Sequence, residues 1–173
     1  MSNPDDPTYE VTREVRDGCL CLYAQRAARL LARRFDTAFR PLGLTSGQFS
    51  LMMSLNRPEP ATLGAVSGLL GMDRTTLTAA LKPLERRGLV AAAPGKDRRS
   101  RGLALTDAGR ALLAAAVPVW RAEHAALDAM LGKGGGRDLA ARLGRLTDGL
   151  AGGMRDPGRD PGERLVPVLT IQS

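Results

Sequence analysis

The stretch Thr62-Leu63-Gly64-Ala65-Val66-Ser67-Gly68-Leu69-Leu70-Gly71-Met72-Asp73-Arg74-Thr75-Thr76-Leu77-Thr78 decides the fold. Thr62 carries a side-chain oxygen suited to cap a helix start, and Leu63, Ala65, Val66, Leu69 and Leu70 supply that helix with apolar residues. Gly71 supplies the left-handed stop that helix ends favour. Asp73 then caps a second helix, Arg74 to Arg87, in which Leu77, Leu81 and Leu84 share the inner stripe and Gly88 ends the run. Two helices joined by about three residues that include a glycine make a helix-turn-helix.

Working outward, Leu89-Val90-Ala91-Ala92-Ala93 and Arg101-Gly102-Leu103-Ala104-Leu105 are strand-like runs on either side of the turn Pro94-Gly95-Lys96-Asp97-Arg98-Arg99-Ser100. The hairpin is basic, and the reading is of a wing appended to the helix pair. Helix, turn, helix and basic hairpin in this order resemble the winged helix-turn-helix of the MarR family of bacterial transcription regulators. Gly71-Met72-Asp73, Leu84-Glu85-Arg86-Arg87-Gly88-Leu89-Val90, Asp97-x-Arg99 and Leu105-Thr106-x-x-Gly109 carry the likeness, which covers roughly residues 17 to 150.

Charge placement agrees. The net charge is +7, with a pI near 10.4. Arg74, Lys82, Arg86, Arg87, Lys96, Arg98, Arg99 and Arg101 fall on the second helix and wing, against Asp73, Glu85 and Asp97. A solvated helix face is the bland alternative for such a surplus. Aromatic residues make up only 3% of the chain, too few for the stacking platforms that bind single strands or RNA loops, so duplex DNA is the expected nucleic-acid partner.

A recognition helix enters the major groove by its first turns, which puts Arg74, Thr75, Thr76 and Thr78 at base edges or adjacent phosphates and Lys82 at a phosphate. The same threonines would serve as ordinary helix-surface residues near a cap. In the wing, the resemblance implies that Arg99 enters the minor groove and Asp97 holds it by a charge-assisted pair, with Arg98 and Arg101 as further cations.

The flanks read as helices. Residues 1–16 are an acidic, Pro-containing arm, expected to be mobile and to firm up near Val11 to Val15. From Asp17 to Arg40, Leu20, Tyr23, Ala27, Leu30, Leu31, Phe35, Ala38 and Phe39 form one stripe, with Leu22 on another face, and Pro41 ends the helix. Thr45-Ser46-Gly47-Gln48 has capping-box spacing and opens a helix with Phe49, Met52, Met53 and Leu55 inward. Thr106 caps a helix from Asp107 to Leu131 that is apolar on more than one side and bends at Pro118. After a flexible break at Gly132 to Gly136, Leu139, Leu143, Leu146 and Leu150 form a short coiled-coil-like seam.

Terminal helices with surplus apolar surface imply a twofold dimer, an arrangement that the MarR resemblance implies as well. The expected fold class is therefore mainly α with a small β-hairpin wing. Residues 17–44 and 107–151 form a helical dimerisation region, 45–106 the winged helix-turn-helix, and 152–173 a Pro/Gly-rich tail whose apolar run Leu165 to Ile171 has no counterpart in the family pattern.

The string Cys19-Leu20-Cys21-Leu22-Tyr23-Ala24 resembles the first helix of the organic-hydroperoxide-sensing branch of the family. There a cysteine matching Cys19 is oxidised and a tyrosine matching Tyr23 hydrogen-bonds it; Arg33 stands where that branch has a second tyrosine. Small packing thiols are the alternative reading of both cysteines. On a helix two residues apart, they are badly placed to share a metal or close a disulfide, so no metal site is expected. The other route of control is a small, often aromatic or phenolic, effector between the helical region and the winged unit, with Phe39, Phe49, Met52 and Trp120 as lining candidates; each also serves as plain core.

Rival classes have less to stand on. His124 is the single histidine, read as a helix-surface residue, and there is no His-Glu-x-x-His, Gly-x-Ser-x-Gly or phosphate-binding glycine loop, so an enzyme is not expected and no cofactor is implied. No run of eighteen apolar residues and no signal-peptide pattern occur, which points to a cytoplasmic protein without membrane contact. Two further alternatives are a sequence-neutral architectural DNA binder and a winged-helix protein-interaction module. The expected function is a sequence-specific regulator, more often repressor than activator, acting as a homodimer on a pseudo-palindromic operator.

Overall fold

The computed structural model describes residues 6–94 and 101–153. Seven α-helices and one two-stranded hairpin follow in the order α1 Tyr9–Gly18, α2 Leu20–Phe39, α3 Ser46–Ser54, α4 Leu63–Leu70, α5 Arg74–Arg86, β1 Val90–Pro94, β2 Arg101–Leu105, α6 Asp107–Leu131 and α7 Gly135–Gly153. A 3-10 turn, Arg40–Leu42, links α2 to the loop before α3. Two compact units divide the chain at His124 and Ala125. Among the described residues no helix is long and apolar enough to cross a membrane.

In the first unit the core is built from Phe35 and Phe39 of α2, Phe49, Leu51 and Met52 of α3, Leu55, Val66 of α4, Leu77, Leu81 and Leu84 of α5, Leu89, Val90, Leu105, and Leu113 and Ala116 of α6. Local chemistry sets the helix starts. Thr45 Oγ1 accepts the Gln48 amide at 3.2 Å while Gln48 Oε1 accepts the Thr45 amide at 3.1 Å, a complete capping box. Asp36 Oδ1 of α2 takes the Ser46 amide at 2.6 Å, which ties the start of α3 to its neighbour.

The hairpin is antiparallel, in the register Val90↔Leu105 to Pro94↔Arg101, and Ala61 adds a bridge to Leu103. Gly102 is needed here: a Cβ on it would stand 2.5 Å from Pro60 Cβ. Thr106 caps α6, its Oγ1 accepting the Gly109 amide at 3.0 Å and donating to the Gly88 carbonyl oxygen at 2.6 Å.

Several expectations need correcting. The first long helix does not begin at Asp17: residues 9–16 of the expected arm are helical together with Asp17 and Gly18, the chain turns extended at Cys19, and α2 starts at Leu20. The apolar stripe of α2 is buried only at its end, at Phe35 and Phe39, whereas Leu20 is 61% and Leu30 53% exposed. In α3 Leu51 faces inward and Met53 does not, because Leu51, Met52 and Met53 follow one another in a nine-residue helix and a consecutive apolar run gives no phase to read.

The glycine run is shorter as a break than expected, since Gly135 and Gly136 already belong to α7. In the second unit Asp128 organises the turn by accepting the amides of Gly134 at 3.1 Å and Gly136 at 2.9 Å, while Gly132 and Gly134 take positive φ. Those two amides, Gly134 first, hold the Asp128 carboxyl below the usual carboxylate range. Leu139, Leu143 and Leu150 of α7 are exposed. The tail from residue 154, with its run Leu165 to Ile171, lies outside the described residues.

Candidate nucleic-acid interface

The helix pair is assembled by its own side chains. Thr62 Oγ1 accepts the Ala65 amide at 3.1 Å to start α4, and Gly71, at φ 62°, stops it. In the turn, Ser67 Oγ donates to the Met72 carbonyl oxygen, and the Met72 amide returns to the Ser67 carbonyl oxygen at 3.0 Å. Asp73 starts α5 by accepting the Thr76 amide at 2.8 Å and the Thr76 hydroxyl at 2.6 Å. Those bonds, the hydroxyl first and the amide second, hold its carboxyl below the usual range.

From there α5 buries Leu77, Leu81 and Leu84 on one stripe and turns Arg74, Thr75, Thr76, Thr78 and Lys82 to solvent. Arg74 has no carboxylate partner among the described residues, and its Nη2 lies 3.8 Å from where a Cβ on Gly64 would sit, so the guanidinium rests over the first helix of the pair. The threonines differ. Thr76 spends its hydroxyl proton on Asp73 and Thr78 donates to the Arg74 carbonyl oxygen at 2.7 Å, whereas the Thr75 hydroxyl is bonded to no group among the described residues. At the other end of α5, Arg87 Nη1 donates to the Gly43 carbonyl oxygen at 2.7 Å, which turns one of the expected surface cations into a tie to the end of the 3-10 turn Arg40–Leu42.

Asp97, Arg98 and Arg99 lie outside the described residues, and of Arg101 only the backbone is described, as the first residue of β2. The hairpin that would carry them is anchored at Leu89, Val90 and Leu105, all buried, and by Gly109, where a Cβ would stand 2.1 Å from the Leu89 carbonyl oxygen. The spacing Leu105-Thr106-x-x-Gly109 therefore has a mechanical meaning: one residue caps α6 and ties it to Gly88, and the other lets the helix press against the strand start.

The residues proposed for control fall into two places. Cys19 is the N-cap of α2, half-buried, its Sγ accepting the Leu22 amide at 3.4 Å, and Cys21 is exposed with Gln25 Nε2 donating to its sulfur at 3.2 Å. Tyr23 is exposed; its amide donates to the Cys19 carbonyl oxygen at 3.2 Å, but among the described residues no hydrogen bond joins its hydroxyl to the Cys19 sulfur.

Phe39, Phe49 and Trp120 do come together, around a concavity of about 230 Å³ that is also lined by Phe35, Ser46, Ser50 and His124. Met52 is fully buried core and does not line it. The Phe39 and Phe49 rings stack at 4.8 Å, and His124 sits between Trp120 at 4.0 Å and Phe35 at 5.1 Å. His124 is exposed, as the sequence suggests, and its ring also joins this aromatic cluster, a role whose sequence signal is the four-residue step from Trp120.

The MarR family's sequence pattern matches residues 44–100. The chain is 32% identical over 81 residues to YwoH, an HTH-type transcriptional regulator of Bacillus subtilis (strain 168); the alignment takes in 47% of this chain and 59% of that one, so the chain spans less than two thirds of this curated relative's length. It is 34% identical to the M. tuberculosis transcriptional regulator MosR in complex with DNA, with a TM-score of 0.69 over 79% of this chain and 99% of that one. To the transcriptional repressor CouR bound to a 23-mer DNA duplex it is 31% identical, with a TM-score of 0.64 over 80% of this chain and 95% of that one. The helix pair, the wing and the Thr106–Gly109 tie, with these likenesses along most of its length, make the chain a member of the MarR family of transcriptional regulators.

Proposed function

We propose that the chain is a homodimeric repressor that reads a pseudo-palindromic duplex through α5 and the wing and is released by a small ligand or by oxidation of Cys19. The observation that carries the DNA reading is the first turn of α5, where Arg74 and Thr75 keep uncommitted donors on a helix whose opposite stripe is locked into the core. Arg74 is assigned to a base edge, Thr75 to a base edge or adjacent phosphate through its free hydroxyl, and Thr76 and Thr78 to the same surface as acceptors. Lys82 is assigned to a phosphate. Arg99, held by Asp97, is assigned to the minor groove, with Arg98 and Arg101 as further cations. The DNA complexes of MosR and CouR support the duplex as partner, and CouR's repressor role supports the sign.

Dimerisation through residues 17–44 and 107–151 is supported by apolar side chains that a lone chain leaves in water, Leu20 and Leu30 on α2 and Leu139, Leu143 and Leu150 on α7. Release by a ligand is supported by the concavity, because Ser46, Phe49 and Ser50 on its wall belong to α3, and α3 packs on α4 and α5. Release by oxidation is supported by Cys19 being the cap of α2, since added oxygen at that sulfur changes the start of the helix.

The test is titration of reduced protein onto duplex from upstream of its own gene, against a scrambled duplex, with and without an organic hydroperoxide, for wild type and Cys19→Ser. Specific, salt-dependent binding is the expected result, and peroxide relief confined to the wild type would assign the thiol. Equal affinity and equal salt slope on both duplexes would favour a sequence-neutral architectural binder instead.

A further inference from the structure

His124 Nδ1 lies 3.0 Å from the Trp120 carbonyl oxygen. A carbonyl oxygen can only accept, so Nδ1 carries the ring's proton, and in the neutral imidazole Nε2 is left as a lone-pair acceptor. The ring is held in place between Trp120 and Phe35. Besides His124, the polar side chains on the concavity are the hydroxyls of Ser46 and Ser50, and among the described residues no Lys or Arg lines it. Arg34, the cation next to Phe35 in the chain, is already paired with Glu123 Oε2 at 2.5 Å.

These features define what the concavity takes. Its volume of about 230 Å³ exceeds the ~150 Å³ of an apolar cavity that admits benzene and falls short of the roughly 300–1,000 Å³ of sites for larger ligands, so it fits one ring with a small substituent. An aromatic carboxylate finds no cation on this wall to pair with and brings its charge against the Nε2 lone pair. A neutral hydroxyl meets an acceptor instead.

Resting on the reading of this concavity as the effector site, we propose that His124 is its specificity-determining residue and selects a single-ring, neutral, hydroxyl-bearing aromatic over an aromatic carboxylate. The ligand's O–H donates to Nε2, and its ring lies against the wall of Phe35, Phe39, Phe49 and Trp120.

Trp120 is the chain's single tryptophan, so its emission reports occupancy of this wall directly. The experiment is a fluorescence titration of the full chain at pH 8 with phenol, benzoate and toluene. Phenol is expected to bind about fivefold to tenfold tighter than either of the others, the worth of one hydrogen bond. In His124→Phe, which keeps a ring between Trp120 and Phe35, phenol is expected to fall to the level of toluene. His124→Gln, whose amide oxygen accepts, should restore part of the preference, and unchanged circular dichroism and DNA binding would show both variants folded.

A phenol preference that survives in His124→Phe, or benzoate binding as tightly as phenol, would overturn the assignment while leaving the concavity as a ligand site. Failure of all three compounds to change Trp120 emission would overturn the effector reading as well.

Discussion

Gly109 presses its Cα against the backbone of Leu89, so closely that a Cβ would stand 2.1 Å from the Leu89 carbonyl oxygen. That contact sets how α6 leaves the wing, and the atom in the way is backbone, which cannot step aside as a flexible side chain would. Gly109→Ala is expected to destabilise the fold by about 1–3 kcal/mol or more. Thermal unfolding should show it as a Tm lowered by roughly 2–4 °C for each kcal/mol. An unchanged Tm would mean that α6 and the hairpin are not rigidly joined.

Asp73 gives the reading helix a pH signature. Its carboxyl is held below the ordinary range by the Thr76 hydroxyl and then the Thr76 amide, so the folded state binds this proton less readily than the unfolded state. The stabilisation is present above the unfolded carboxylate pKa and is lost as pH falls through the lower folded value, that is, below about pH 4. Asp73→Asn should therefore flatten the acid side of the Tm-against-pH curve relative to wild type. Because Asp128 and Asp17 titrate in the same sense, some slope should persist in that variant and shrink further when Asp128→Asn is added.

Arg74 and Arg99 should fail differently. Loss of a bidentate base contact costs roughly 1–3 kcal/mol of discrimination, so Arg74→Ala should bind specific and scrambled duplexes with affinities drawn closer together. Arg99→Ala should weaken both alike and reduce the salt slope by about one. Competition binding at two salt concentrations separates these outcomes, and equal losses on both duplexes for both variants would remove the distinction.

Leu20 and Leu30, on the uncovered half of α2, carry the dimer prediction. The double variant Leu20→Lys, Leu30→Lys should leave a lone chain folded, since both positions already face water, yet bring the mass in solution from twice the 18.4 kDa of the chain to once that value. Sedimentation reads this directly. A wild type that already sediments as a monomer would contradict the dimer.

The winged unit was legible because its boundaries are written in local chemistry. Thr62, Gly71, Asp73, Gly88 and Thr106 each act within a few residues of themselves, and each stands in the structure where its side chain or its φ is needed. Cys19 gave no such signal, because cysteine is not a usual helix cap, and so α1 and α2 read as an arm and one long helix. The apolar stripe of α2 was visible, but periodicity tells that a face is apolar and not what covers it. His124 is exposed as read, but its ring contacts were not legible for a related reason: Trp120 is one turn away in the sequence, while Phe35 reaches it from another helix, a contact no local pattern encodes.

The claim on which the rest depends is that α5 reads sequence, and selection of bound duplexes from a random pool tests it most directly. The expected result is enrichment of an inverted repeat with half-site centres one or more helical turns apart, each turn about 10–10.5 base pairs, with Arg74→Ala degrading the same positions in both halves. A pool that emerges without an enriched sequence, for a protein that still binds duplex, would contradict it.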